Sequence, residues 1–172
     1  MSVIDDILDE NLVLASRFDV RTGSLDHMPA RHLAVVGCMD GRLDLPAILG
    51  LHTGDAHVIR NAGGVATDDV IRSLVVSQRL LGTREVMLVH HTECGMLGFR
   101  DDELKAQIEQ ETGVRPPFAL EAFSDLDADV RQSVRRIRLS PYLPYRDEVR
   151  GFVFDVHTGR LREVYAGIGV GG

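Results

Sequence analysis

The sequence predicts an α/β fold: a mainly parallel central β-sheet flanked by helices, with an antiparallel C-terminal hairpin at its edge. Three features predict it. Short apolar runs rich in β-branched residues alternate with longer segments of helical periodicity, the pattern of βαβ units. Two of these runs end directly in residues that bear chemistry, Cys38 after one and His91 with Cys94 after another. The chain then closes on two strand-like runs separated by His157-Thr158-Gly159-Arg160, a hairpin signature.

Each element has its own local reason. Over residues 2–18, Ile4, Ile7, Leu8, Leu12, Ala15 and Phe18 form one helical stripe, with Ser2 and Asp5 placed to cap its start. Residues 21–30, holding Gly23 and Pro29, read as a connector, and residues 32–37 as a buried strand that delivers Cys38. A short helix over 44–51 leads to a strand over 56–60, which breaks at Asn61-Ala62-Gly63-Gly64. The next helix, 68–81, has Thr67 as N-cap, Asp68 and Asp69 in its first turn and Gly82 beyond its last. A strand over 85–90 presents His91 and Cys94, so both halves of a candidate site arise at the carboxyl ends of strands, where ligands bind in open α/β sheets. Helices follow over 101–113 and 125–139, the second with Leu126, Val130, Val134 and Ile137 on one face. The hairpin occupies 150–156 and 161–165, and the glycine-rich tail from Gly167 onward is expected to fray.

At 172 residues and 44% hydrophobic content the chain suits one domain, residues 1–172, with a real core. No apolar run reaches the roughly 18 residues that would suggest a membrane span, and the acidic, amphipathic start lacks a secretory signal's basic region. The expected compartment is therefore the cytoplasm, with no membrane partner. A formal charge of -7 and the absence of a basic stripe argue against nucleic acid. Arg135, Arg136 and Arg138 are expected to form a solvated helix face.

The chain's two cysteines argue for metal ligation or burial over a crosslink in a reducing compartment. Cys38 alone would read as a buried thiol. His91, three residues before Cys94, changes that reading, because thiolate and imidazole are the donors zinc prefers. Three protein donors leave a tetrahedral ion one further position, the mark of a catalytic site. His90 points away from His91 if the strand persists, which makes it a packing or supporting residue. His27, His32, His52, His57 and His157 have no cysteine at metal spacing and read as structural or surface histidines. Asp40 and Arg42 share one side of an extended chain. Asp40 could fill the fourth metal position itself or, held off by Arg42, accept a hydrogen bond from water there. Gly63 and Gly64 read either as plain turn glycines or as a close approach to a small substrate before a helix N-terminus.

Together, Cys38-Met39-Asp40-x-Arg42, the stretch from His57 to Gly64, and His90-His91-Thr92-Glu93-Cys94-Gly95-Met96 resemble the β-class carbonic anhydrases, over roughly residues 32–165 and closest to their short bacterial branch. The resemblance implies zinc on Cys38, His91 and Cys94, a catalytic pair of Asp40 and Arg42, and a substrate-pocket wall that includes Asn61, Gly63 and Gly64. It implies reversible hydration of carbon dioxide to bicarbonate, and a homodimer or homotetramer whose N-terminal helix packs on a neighbouring subunit. Two departures stand out: Gly41, where serine or alanine is usual, loosens the loop, and the absence of tryptophan keeps the bicarbonate pocket of some allosteric members from being carried over in full. Carbonyl sulfide or carbon disulfide hydrolysis on the same site is the enzymatic alternative, with Val65, Ala66, Leu97 and Phe99 as candidate selectivity residues. A non-catalytic zinc-dependent sensor is the other, against which an intact Asp40 and Arg42 argue.

Overall fold

A computed structural model describes residues 2–167 and contains a five-stranded sheet. The strands are β1 (Leu33–Cys38), β2 (Ala56–Asn61), β3 (Glu85–His91), β4 (Val149–Phe154) and β5 (Leu161–Val164), in the spatial order β2-β1-β3-β4-β5. Parallel pairing joins the first four and antiparallel pairing joins β4 to β5, as the sequence predicts. The tail expected to fray from Gly167 onward lies, past Gly167 itself, outside the described residues.

The chain leaves β1 toward β2 and then crosses back to place β3 on β1's other side, so strand order reverses between β1 and β3. Ligand sites of open α/β sheets form at such a switch point. Gly37 lies opposite Val89, so Cys38 and His91 leave the sheet at nearly the same level.

One face of the sheet carries Ala34, Val36, Val86, Leu88, Val149 and Val153, covered by α3 (Asp68–Arg79) and α5 (Leu126–Leu139). Val130, Val134 and Ile137 of α5 are fully buried there, each worth about 1.5–3 kcal/mol relative to exposure. Gly151 of β4 permits this contact, since a β-carbon there would collide with Val130. The other face, with Val35 and Val89, receives α2 (Leu45–Leu49) and the short turn Gly95–Leu97. A further helix, α4 (Asp101–Thr112), has no buried residue.

The first helix, α1, runs Val3–Ala15 and starts with the expected capping box between Ser2 and Asp5. It stops short of residue 18 because Ser16 bonds back to Val13, and Arg17 and Phe18 turn tightly onto Leu14 and Ala15. Among the described residues nothing covers its stripe: Ile4, Ile7, Leu8 and Leu12 are all more than half exposed. No helix among the described residues is long and apolar enough to cross a membrane. The arginine cluster departs from the expected solvated face. Arg135 is exposed, but Arg136 bonds Asp68 and Glu121, and Arg138 donates to the carbonyls of Val149 and Ala166, tying α5 to the sheet edge.

Candidate metal centre

At the end of β1 the chain turns sharply and is held by β2. Met39 donates to the carbonyl of Asn61 at 2.8 Å, and Arg60 spans the turn, donating to the carbonyls of Cys38 at 2.9 Å and Asp40 at 2.7 Å. Arg60 has no role in the sequence reading, although its place at a strand's carboxyl end is the signal that would have found it. Asp40 then folds onto Arg42. Its Oδ1 accepts the backbone N–H of Arg42 at 2.9 Å and Nε–H at 3.0 Å, and its Oδ2 accepts from Nη2 at 2.8 Å. The guanidinium and then the Arg42 backbone amide hold the Asp40 carboxyl well below the usual range. Asp40 is an obligate acceptor at neutral pH, with one oxygen 3.7 Å from His91 Nε2.

At the end of β3, neighbouring histidines part to opposite faces. His90 Nε2 meets Asp129 Oδ2 of α5 at 2.6 Å, with the ring against Phe123. His91 directs Nδ1 to the Thr92 carbonyl at 2.9 Å. That bond makes Nδ1 the protonated nitrogen and leaves the Nε2 lone pair free. Nε2 is buried without a hydrogen-bond partner.

Cys38, His91 and Cys94 are all buried, and their donor atoms lie within 4.8 Å of one another. The two sulfurs are 3.9 Å apart. An ion 2.3 Å from each of two thiolates at tetrahedral angles would separate them by about 3.8 Å, so the spacing fits zinc. The orphaned Nε2 fits as well, because a buried imidazole lone pair without an acceptor role is otherwise costly. The two thiols are in hydrogen-bond contact, and that pairing holds the Cys38 thiol down while it pushes the Cys94 thiol up. Among the described residues, this is the one such donor group.

The Asn61–Gly64 turn lies beside this centre, and Gly63 and Gly64 are buried with positive φ of 81° and 74°. A β-carbon on Gly64 would stand 2.9 Å from the Cys38 nitrogen and the Gly37 carbonyl carbon. The close approach is thus made to the chain's own β1 backbone. The Asn61 amide donates to the Val65 carbonyl at 2.9 Å, closing the turn. Of the four candidate selectivity residues, Val65 and Ala66 are buried in the protein interior. Leu97 and Phe99 line an open cleft of about 510 Å³ with Asp101, Ala122 and Phe123.

Two further residues reach the site: Glu93, to which the sequence reading gives no role, and His157, which it reads as a structural or surface histidine. Glu93, between the ligands at a positive φ of 56°, accepts from Arg42 Nη2 through its carbonyl at 3.1 Å and from Nη1 through Oε2 at 3.4 Å. His157 of the β4–β5 connection donates to Glu93 Oε1 at 2.8 Å, which holds the Glu93 carboxyl down and the His157 ring up. His57 and His32 are satisfied by Ser77 and the Gly82 carbonyl, as expected of structural histidines.

Comparison with known proteins agrees with this geometry. A carbonic anhydrase family model matches residues 33–116. β-Carbonic anhydrase 1 of Mycobacterium tuberculosis is 56% identical over 164 residues, 95% of this chain and 99% of that protein. A carbon disulfide hydrolase of Acidithiobacillus thiooxidans is 34% identical, over 81% of this chain and 80% of its own. Among solved structures, carbonic anhydrase from Streptococcus mutans superposes with a TM-score of 0.88 at 38% identity, covering 96% of this chain and 99% of that one. With near full-length identity of this order to a curated relative, and the sheet and buried Cys-His-Cys group in place, the chain belongs to the β-carbonic anhydrase family.

Proposed function

We propose that the protein catalyses the reversible hydration of carbon dioxide to bicarbonate and a proton, with zinc bound by Cys38, His91 and Cys94. The observation that carries this reading is the buried donor group with an unpartnered His91 Nε2, set beside an ionised Asp40. A zinc ion held there would supply Lewis acidity that lowers the pKa of water toward about 7.

The remaining chemistry belongs to the chain. Arg42 engages both oxygens of Asp40 and keeps the carboxylate ionised. Asp40 can therefore only accept: it takes the O–H of a reacting water and turns that water's lone pair toward the substrate carbon. The turn through Asn61, Gly63 and Gly64 forms the pocket wall near the ligands. Carbon disulfide and carbonyl sulfide are also linear and electrophilic at carbon, and the similarity to a carbon disulfide hydrolase makes them the comparison substrates. The higher identity and near-complete coverage of the M. tuberculosis relative favour carbon dioxide.

We further propose that the protein works as a homodimer or homotetramer in the cytoplasm. The uncovered apolar stripe of α1 supports a second copy as its partner, and thiolate ligands suit a reducing compartment.

Stopped-flow proton release with carbon dioxide, run beside sulfide release from carbonyl sulfide and carbon disulfide, tests the reading. The wild type is expected to show its largest kcat/KM with carbon dioxide. Asp40→Asn, nearly the same shape but a different acceptor, should keep its metal and lose about 100-fold or more in kcat. Full turnover in that variant would remove Asp40 from the mechanism, and a larger kcat/KM for a sulfur substrate would overturn the substrate assignment.

A further inference from the structure

We infer that the connection between β4 and β5 positions the Asp40–Arg42 pair, with His157 as the positioning residue acting through Glu93. This rests on the reading of Asp40 and Arg42 as the catalytic pair. The geometry is a continuous run of contacts from the rim inward. His157 Nε2 lies 2.8 Å from Glu93 Oε1, Glu93 Oε2 lies 3.4 Å from Arg42 Nη1, and Arg42 Nη2 bridges the Glu93 carbonyl at 3.1 Å and Asp40 Oδ2 at 2.8 Å. Asp40 takes Nε and Nη2 of Arg42, which leaves Nη1 for Glu93. The guanidinium is thus gripped from two sides, and only the Asp40 side is encoded within its own loop.

A second set of bonds ties the same connection to the ligand loop. Thr92 donates its N–H to the Phe154 carbonyl at 2.9 Å, and Val156 donates its N–H to Thr92 Oγ1 at 3.1 Å. Residues 92 and 93, the two that separate ligands His91 and Cys94, are therefore both held by residues 154–157. Glu93 needs such holding, because a residue with a β-carbon is disfavoured at its positive φ.

The turn itself does not depend on the His157 ring. Asp155 caps it by accepting the backbone N–H groups of His157 and Thr158 at 2.8 and 3.0 Å, and Gly159 donates to the Asp155 carbonyl at 2.9 Å. Changing the His157 side chain therefore removes the grip on Glu93 and leaves the turn's backbone bonds available. An exposed ion pair on its own contributes little. Here its consequence is directional, because it fixes one end of a planar group whose other end orients Asp40.

The test compares full-length zinc-loaded wild type, His157→Ala, His157→Gln and Glu93→Gln. The first readout is the 15N–1H signal of the Arg42 Nε–H group, assigned by its loss in Arg42→Ala. In His157→Ala this signal should broaden and exchange faster with water, while zinc content and thermal midpoint stay at wild-type values. In carbon dioxide hydration, kcat should fall about two- to five-fold with KM unchanged, the range open to an exposed ion pair. His157→Gln, whose amide can still donate to Glu93, should restore both readouts, and Glu93→Gln should reproduce the His157→Ala behaviour. An unchanged Arg42 signal in His157→Ala overturns the inference. So does a kcat loss that His157→Gln fails to restore, or one matched by an equal loss of zinc. Retained turnover in Asp40→Asn would instead defeat the reading of the pair, and the Arg42 signal separates the two failures because it does not depend on activity.

Discussion

Replacing Gly64 by alanine should damage the fold and the metal site together, although the change adds one methyl group. Gly64 has φ 74°, where a residue with a β-carbon costs about 1–2 kcal/mol. The added carbon would also meet the Cys38 nitrogen and Gly37 carbonyl carbon at 2.9 Å, with the Gly37 Cα at 3.2 Å. These are backbone atoms of β1 and cannot rotate away. Ordinary contact requires an opening of roughly half an ångström, and overpacking of this kind costs about 1–3 kcal/mol. The sum, about 2–5 kcal/mol, is a large share of the roughly 5–15 kcal/mol by which domains are stable. Any relief moves Cys38, so zinc stoichiometry should fall with stability. Gly41→Ala provides the control: nothing lies within 4 Å of its β-carbon position and its φ is not in the strained range. It should be neutral or stabilising by about 0.4–1 kcal/mol through the unfolded chain. Urea unfolding of the metal-free proteins, paired with metal analysis, measures both effects. Gly64→Ala within about 0.5 kcal/mol of wild type and fully metallated would refute the packing argument, and a loss of activity alone would then assign Gly64 to substrate contact.

Three further outcomes are expected. Cys94→Ser and His91→Ala should each lose zinc and turnover together, because two remaining donors hold the ion poorly, and full zinc occupancy in both would remove the assignment. Asp101 accepts the backbone N–H groups of Leu120, Glu121 and Ala122 at 2.8, 3.2 and 2.8 Å. Burial raises its pKa, but those three bonds outweigh burial and hold it below its ordinary 3.8. Its stabilisation is accordingly complete above that pH and lost as pH falls through the lower folded value. Asp101→Ala should cost about 1–2 kcal/mol at pH 7, and its gap from wild type, followed by urea unfolding, should shrink below pH 3.8; a gap constant into acid would contradict this. Leu8→Glu with Leu12→Glu should convert the assembly to monomer in sedimentation velocity, since each buried leucine contributes about 1.5–3 kcal/mol, whereas an unchanged sedimentation coefficient would place the interface elsewhere.

What could be read in the sequence was what depends on neighbours along the chain. Thr67 and Ser2 announced helix starts that the structure retains, and the alternation of Ala34-Val35-Val36 and Val86-Met87-Leu88-Val89 marked strands with two apolar faces. The donor group was legible because two ligands are three residues apart and all three lie at or just past the ends of strands. Residues that act across long separations were not. Glu93 and His157 are 64 positions apart, and nothing in either segment indicates that the C-terminal hairpin returns to the ligand loop. Arg136 and Arg138 looked like a charged helix face for the same reason: their partners Glu121, Asp68, Val149 and Ala166 come from other elements.

The adjacent histidines at the end of β3 show how a strand can set both a site and its support. Because successive side chains point to opposite faces, His91 toward the metal donors requires His90 to enter the interior against α5. A buried imidazole there is tolerable only with a partner, and Asp129 supplies one at 2.6 Å from a position that is itself nearly inaccessible. Replacing such a pair with apolar residues often leaves stability unharmed, so stability alone does not require it. Its geometric effect is to fix α5 at the last residue before His91, on the side opposite the donors. The ligand-bearing end of β3 is thereby held twice, by Asp129 of α5 through His90 and by the end of β4 through the bonds of Thr92 to the Phe154 carbonyl and Val156 N–H. With both grips in place, His91 Nε2 keeps one direction, which is what three donors from two strands need if they are to meet on one ion.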